Sequence, residues 1–230
     1  MQKKPFFWLT ILFALNLLLA GVVWAAGGYN VSVRETSQSE PAPEKACEFS
    51  DVPVSHWAAG VIKGLCQREI VGGYSGAIFR PEKNITRAEF TKLLVKILSL
   101  SEERPAQPTF KDVAPGNWYY GVVEAAVKKG LVKGYENGEF WPDALITRQE
   151  MAVILARATG KENMAAARAQ EKTTFTDDQE IASWARGVVV VIVKDGLMKG
   201  YPEGTFGPKN NATRAEACAI VQRIGRICSG

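Results

Sequence analysis

The sequence predicts an all-α fold in which three helix-loop-helix repeats pack in a pseudo-threefold arrangement, and three observations predict it. One set of short motifs returns three times at fixed spacing. Amphipathic helical stripes flank the loop of each copy. A single copy is too small to bury a core of its own, so the three must share one across residues 47 to 228.

The repeat is read directly from the residues. Phe49-Ser50-Asp51-Val52 returns as Phe110-Lys111-Asp112-Val113 and as Phe175-Thr176-Asp177-Asp178. A tryptophan follows each time (Trp57, Trp118, Trp184), then Gly73-Tyr74, Gly134-Tyr135 and Gly200-Tyr201. Phe79-Arg80-Pro81, Phe140-Trp141-Pro142 and Phe206-Gly207-Pro208 come next. Each copy closes with Thr86-Arg87-Ala88-Glu89, Thr147-Arg148-Gln149-Glu150 or Thr213-Arg214-Ala215-Glu216, and the Trp-to-Arg spacing is 30 residues in all three.

The first helix of each copy starts near its Trp. Val61, Ile62, Leu65, Cys66 and Ile70 form one apolar stripe at helical spacing. Val122, Val123, Ala126, Val127 and Leu131 repeat it, as do Val188, Val189, Ile192, Val193 and Leu197. Gly73, Gly134 and Gly200 are expected to stop these helices as left-handed caps. Gly76, Gly138 and Gly204 mark tight turns. The second helix opens on a Thr-x-x-Glu capping box and continues with a stripe led by Phe90, Met151 and Ala217.

Residues 1–25 read as a signal peptide, with Lys3 and Lys4 ahead of an apolar run from Phe6 to Ala26 and cleavage expected after Ala25. The alternative is an uncleaved N-terminal membrane anchor, since the run could just span a bilayer. Val22 stands where a lipid-accepting Cys would be needed, which argues against a lipoprotein. A flexible linker follows at 26–46. The repeats then occupy 47–98, 109–160 and 173–228. Ser99 to Pro108 joins the first pair and Lys161 to Lys172 the second, the Ala-rich run of the latter reading as a helix extension. No second domain is read after the repeats.

The formal charge of +4 falls when Lys3 and Lys4 are set aside, leaving 26 basic against 24 acidic residues. That balance gives no electrostatic footprint for nucleic acid. With His56 the only histidine, neither a zinc site nor a Ser-His-Asp or Cys-His constellation can be built, and no phosphate-binding glycine loop occurs. No catalytic residue, cofactor or metal is therefore expected. Glu89, Glu150 and Glu216 resemble general acids only if their capping boxes are ignored. Cys47, Cys66, Cys218 and Cys228 permit two disulfides in three pairings. Cys66 and Cys218 read as plainly buried on apolar helix faces, and a Cys47–Cys228 link would tie the ends together.

Arg87, Arg148 and Arg214 are the most informative residues. Each stands at the first position of a helix, where the dipole and unpaired amides disfavour a cation. This suggests an anion held jointly by guanidinium and helix N-terminus. The other reading is a structural arginine paired with Asp51, Asp112 or Asp177 of a neighbouring copy. Trp57, Trp118 and Trp184 could stack on sugar rings, although position alone favours core anchors. Tyr74, Tyr135 and Tyr201, each on a loop with a polar tip, read as binding elements. Trp141 occurs in one copy only and reads as a surface contact.

Phe-x-Asp-Val, Trp, Gly-Tyr, Phe-x-Pro and Thr-Arg-Ala-Glu, in three copies over about four-fifths of the chain, resemble the S-layer homology (SLH) domain family. The resemblance implies a trefoil-like unit whose inter-repeat grooves bind secondary cell-wall polymer or a peptidoglycan-linked glycan, often through pyruvylated sugars. Arg87, Arg148 and Arg214 would then take a carboxylate. Asp51, Asp112 and Asp177 with the three tryptophans would shape the grooves, and Tyr74, Tyr135 and Tyr201 would line them. The implied function is non-catalytic anchoring at the cell wall or surface. The alternative is a structural envelope protein whose repeats bind another envelope protein. Two copies depart from the pattern. Gln149 replaces Ala and is expected to narrow its groove. Asp178 replaces Val, and Asn211-Ala212 stands in place of the branched Ile85 and Ile146, marking the third copy as the least suited to bind.

Overall fold

The computed structural model describes residues 47–228, which lie in the second of the chain's two compact units, 44–230. The signal segment, its cleavage site and the linker lie outside the described residues. Among the described residues the apolar stripes become α-helices: α1 Ala59–Gln67, α2 Arg87–Ile97, α3 Tyr120–Lys128, α4 Arg148–Ala158, α5 Glu162–Ala166, α6 Ser183–Lys194 and α7 Arg214–Cys228. A 3₁₀ turn covers Asp178–Glu180. The described residues contain no strand, only isolated β-bridges, and none of their helices is long and apolar enough to cross a membrane.

The second helices α2, α4 and α7 start where the capping boxes predict. Thr86 Oγ1 accepts from the Glu89 amide, and Glu89 Oε2 accepts in return from the Thr86 amide at 3.0 Å. Thr147 with Glu150 and Thr213 with Glu216 repeat the exchange. The first helices α1, α3 and α6 end earlier than expected. Glu69, Gly130 and Gly196, at φ between 59° and 75°, are the left-handed residues that close them, not Gly73, Gly134 and Gly200. At each end a paired bond completes the stop, as in Gly130 N to Val127 O and Leu131 N to Ala126 O, both 2.8 Å. Gly73, Gly134 and Gly200 serve a different need. A Cβ on Gly134 would lie 2.3 Å from Phe110 Cε1 and 2.6 Å from Glu139 O, and Phe49 and Phe175 crowd Gly73 and Gly200 in the same way.

The repeats are joined by backbone at their centre. Ile85 N donates to Ala212 O (2.9 Å), Ala212 N to Ile146 O (3.0 Å) and Ile146 N to Ile85 O (3.2 Å), closing a ring of three hydrogen bonds. All three residues are buried, Ala212 included, so the smaller side chain is accommodated without loss of the ring. Packing follows the same order: α2 lies on α3, α4 on α6, and α7 on α1, so the last repeat returns to the first. Phe79, Phe140 and Phe206 are fully buried, each worth about 2–3 kcal/mol of apolar transfer.

The linker between the second and third repeats does not extend α4. Gly160, at φ +68°, closes α4 first, and the Ala-rich run forms the separate helix α5 packed on α6. The contact is close, because a Cβ on Gly187 would meet Ala165 O at 2.0 Å. Cys47 pairs with Cys66, which overturns the Cys47–Cys228 link; Cys66 is buried as expected, but within a disulfide. The bridge pins the entry of the first repeat to α1, and closing a loop of that length contributes about 3 kcal/mol. Cys218 is a buried free thiol, pushed up to about 12 by burial.

Candidate functional site: three inter-repeat grooves

Three grooves of about 410, 380 and 680 Å³ recur around the unit, and each draws on all three repeats. Groove I combines Tyr74 and Glu89 of the first repeat, Trp118 of the second and Arg214 of the third. Groove II combines Tyr135 and Glu150, Trp184, and Arg87. Groove III combines Tyr201 and Glu216, Trp57, and Arg148. The sequence-predicted arginines, tyrosines and tryptophans are thus brought together, one of each per groove, by the cyclic packing.

Each arginine leaves its own repeat and is seated on the next. Arg87 Nε donates to Phe140 O at 2.9 Å, Arg148 Nε to Phe206 O at 2.8 Å, and Arg214 Nε to Phe79 O at 3.0 Å. A second nitrogen reaches the carbonyl of Lys133, Lys199 or Gly72. The guanidinium carbons lie 4.4–5.0 Å from the centroids of the groove tyrosines, over Tyr135, Tyr201 and Tyr74. Arg87 and Arg148 are buried, whereas Arg214 is half-buried.

The helix N-termini themselves offer nothing to an anion. The Arg87 and Ala88 amides donate to Ala144 O and Pro142 O, and the matching amides of α4 and α7 donate to Asn210 O, Pro208 O, Lys83 O and Pro81 O. The third amide of each helix is capped by its threonine. The expected joint site of guanidinium and amides therefore loses its helix amides. The amides are consumed in holding one repeat to the next.

The structural alternative of an Arg–Asp pair across repeats is also replaced. Asp51 accepts from the Phe79 and Arg80 amides, Asp112 from Phe140 and Trp141, and Asp177 from Phe206 and Gly207, all within 2.6–2.8 Å. These aspartates clamp the Phe-x-Pro loop of their own repeat, and none lines the three grooves. Around Asp51, burial pushes the carboxyl up, but the backbone amide bonds from Phe79, Arg80 and Asp51 itself, with the Arg80 charge, together outweigh it and hold it below the usual range.

In two of the three grooves a glutamate is the arginine's partner. Glu216 Oε1 lies 3.1 Å from Arg148 Nη1 and accepts from Tyr201 OH at 2.8 Å. Glu150 Oε1 lies 3.6 Å from Arg87 Nη1 and accepts from Tyr135 OH at 2.9 Å. The capping box uses only the other oxygen, so capping alone does not account for these residues. Burial first, then Glu150, pushes the Tyr135 phenol up to about 12 against the opposing pull of Arg87.

The tryptophans are not core anchors. Trp57, Trp118 and Trp184 are 61%, 51% and 57% exposed, with their rings on the groove walls. The helices begin close to them, and the burying positions lie further along the stripe. Lys92 Nζ sits 5.0 Å from the Trp118 ring centroid. Trp141 packs on its own loop: its ring stacks on Tyr135 at 4.0 Å, and its indole N–H donates to Glu139. Arg80 occupies that place over Tyr74, while Gly207 lets Tyr201 approach its backbone directly.

The departures of the second and third copies are structural in character. Gln149 Oε1 accepts from the Ala182 amide at 3.1 Å, and the residue does not line a groove. Asp178 is held by Arg186 and by the Thr173 amide and hydroxyl. One groove feature went unread in the sequence. A basic residue stands nine positions after each arginine, Lys96, Arg157 and Arg223, and lines grooves I, II and III respectively. The equal spacing in all three copies is the signal that would have found it.

The S-layer homology domain model matches residues 48–91, 109–152 and 174–218, more than half of the chain. The chain belongs to the S-layer homology domain family. It is 40% identical over 75% of its length to an amylopullulanase of Thermoanaerobacterium thermosulfurigenes, of which it covers 9%. It is 34% identical over 66% of its length to a cellulosome-anchoring protein of Acetivibrio thermocellus, covering 34% of that protein. It is 31% identical over 81% of its length to an S-layer protein of Bacillus thuringiensis subsp. finitimus, covering 22%. The chain thus spans between 9% and 34% of these relatives, and the SLH repeats are the shared part.

Proposed function

We propose that this chain is a non-catalytic anchor that holds to the bacterial cell wall by binding an anionic, pyruvylated secondary polysaccharide in its inter-repeat grooves. The observation that carries the reading is the threefold grouping of a guanidinium, a tyrosine and an exposed tryptophan in grooves of a size suited to one or two sugar rings. An outward indole face suits the apolar face of a sugar, and a guanidinium suits a carboxylate. Membership of the SLH family and likeness to S-layer and cellulosome-anchoring proteins support a place at the cell surface.

Purified sacculi test this. The chain should sediment with sacculi that carry their attached polymer and stay in solution with sacculi stripped of it by acid. Retention on stripped sacculi would sink the polysaccharide reading, and binding to an envelope protein in its place would support the protein-protein alternative. Replacing Trp57, Trp118 and Trp184 together with Ala should abolish sedimentation with little loss of helix signal, because these side chains stand largely outside the core.

A further inference from the structure

We infer that groove I is the groove that takes the polymer's carboxylate, and that in grooves II and III the chain's own glutamates already fill that place. This rests on the polysaccharide-anchor reading and concerns which groove does what. The three grooves carry a similar mix of charges on their walls. What differs is the position of one carboxylate relative to one guanidinium.

In groove III, Glu216 Oε1 receives both Arg148 Nη1 and the Tyr201 hydroxyl. In groove II, Glu150 Oε1 takes the Tyr135 hydroxyl and lies near Arg87 Nη1. In groove I the matching residue is Glu89, whose described partner is the Thr86 amide through Oε2. Among the described residues no carboxylate lies within ion-pair distance of Arg214. Arg214 spends Nε and Nη2 on Phe79 O and Gly72 O, which leaves Nη1 without a protein acceptor. Among the described residues no buried side-chain nitrogen or oxygen lacks a partner, so this nitrogen is not sealed in the interior, and Arg214 lines groove I. The Tyr74 hydroxyl accepts from Lys83 Nζ at 3.3 Å and keeps its own proton to donate.

Groove I therefore offers an incoming carboxylate the two donors that Glu216 occupies in groove III. Lys92, already over the Trp118 ring, stands on the same wall and adds a second cation beside the aromatic face. A ketal carboxylate on a sugar would seat between Arg214 and Tyr74 with its ring against Trp118. Grooves II and III, their guanidiniums neutralised from within, are left with aromatic walls that suit uncharged sugars. The third copy, whose departures from the motif mark it as least suited to bind, supplies the arginine that is open.

Each groove holds one exposed tryptophan, so the indole N–H signals of the full chain labelled with nitrogen-15 report the grooves separately. The probe is the methyl glycoside of a pyruvate-ketal hexose, with its methyl ester as the uncharged control. Trp118 should shift first with the acid and not with the ester. Arg214→Lys and Tyr74→Phe, which keep most of the packing, should each weaken binding about tenfold, as expected for loss of one hydrogen bond to a charged group. Glu150→Gln should create a second site, seen at Trp184. The assignment is overturned if Trp57 or Trp184 shifts before Trp118, or if neither groove I variant weakens binding. A chain that sediments with polymer-bearing sacculi while no indole responds to the acid also overturns it, and leaves the anchoring reading in place. Failure to sediment overturns the anchoring reading and this inference with it.

Discussion

Arg148 and Glu216 meet across the boundary between the second and third repeats with 3.1 Å between Nη1 and Oε1, both side chains largely out of solvent. Glu216 also caps α7, so one residue joins helix initiation to the seam between repeats. Glu216→Ala strips a buried guanidinium of its counter-charge and removes half of the capping box. It should cost about 3 kcal/mol in urea unfolding. Glu216→Gln retains a cap acceptor and should cost less. A loss below about 0.5 kcal/mol, the range of ordinary surface changes, would show that the backbone carbonyls alone satisfy Arg148.

The Tyr135 phenol gives the fold an alkaline limit. Its folded value, about 12, lies above the ordinary value near 10, chiefly because it is buried and secondly because it faces Glu150. A group raised on folding stabilises fully below its unfolded value, and that stabilisation is lost as pH climbs from about 10 towards 12. Absorbance at 295 nm should show Tyr135 ionising late, alongside Tyr119, Tyr120 and Tyr201, which burial also pushes up, and Tyr135→Phe should shrink that phase by one tyrosine and flatten the stability profile across this window.

Gly134→Ala should destabilise the protein by about 1–3 kcal/mol, the usual cost of forced overpacking. Its Cβ would collide with the Phe110 ring and with a backbone oxygen that cannot rotate away. The neighbouring Tyr135 would be displaced, so the heat-unfolding midpoint and the environment of Trp184 should change together. Gly130→Ala offers a comparison: nothing crowds its Cβ, and only the backbone conformation at φ +75° resists the change.

Ser99→Gly should stabilise. Ser99 closes α2 at φ +53°, whereas the matching position after α4 is Gly160 at +68°. The serine is exposed, so little packing is lost, and relief of the left-handed backbone is worth about 1 kcal/mol. For a domain of this size that raises Tm by about 2–4 °C.

The parts of the molecule written in neighbouring residues could be read from the sequence. Thr-x-x-Glu fixes the start of α2, α4 and α7 because cap and acceptor are three residues apart, and the apolar stripes fix which faces are buried. The partner of Arg87 could not be read that way, because Phe140 O, Lys133 O and Glu150 come together only when the second repeat packs. The same holds for the amides at the starts of α2, α4 and α7, which look vacant within one repeat and are filled by the next. Trp57 was ambiguous for a related reason: an aromatic at a helix start faces inward or outward according to where the neighbouring repeat lies. Gly73 fitted a cap by position, while its actual need, room for the Phe49 ring, is a tertiary contact. Cys47 and Cys66 had no spacing to single them out among three pairings.

The ring of hydrogen bonds through Ile85, Ile146 and Ala212, together with the return of α7 onto α1, sets when the protein can begin to work. Groove I waits for Arg214, groove II for Trp184 and groove III for Tyr201, all supplied by the third repeat. A nascent chain halted after its second repeat owns six of the nine groove side chains and not one finished groove. If the grooves bind as proposed, a chain cut after its second repeat should not sediment with sacculi, because it holds no complete groove.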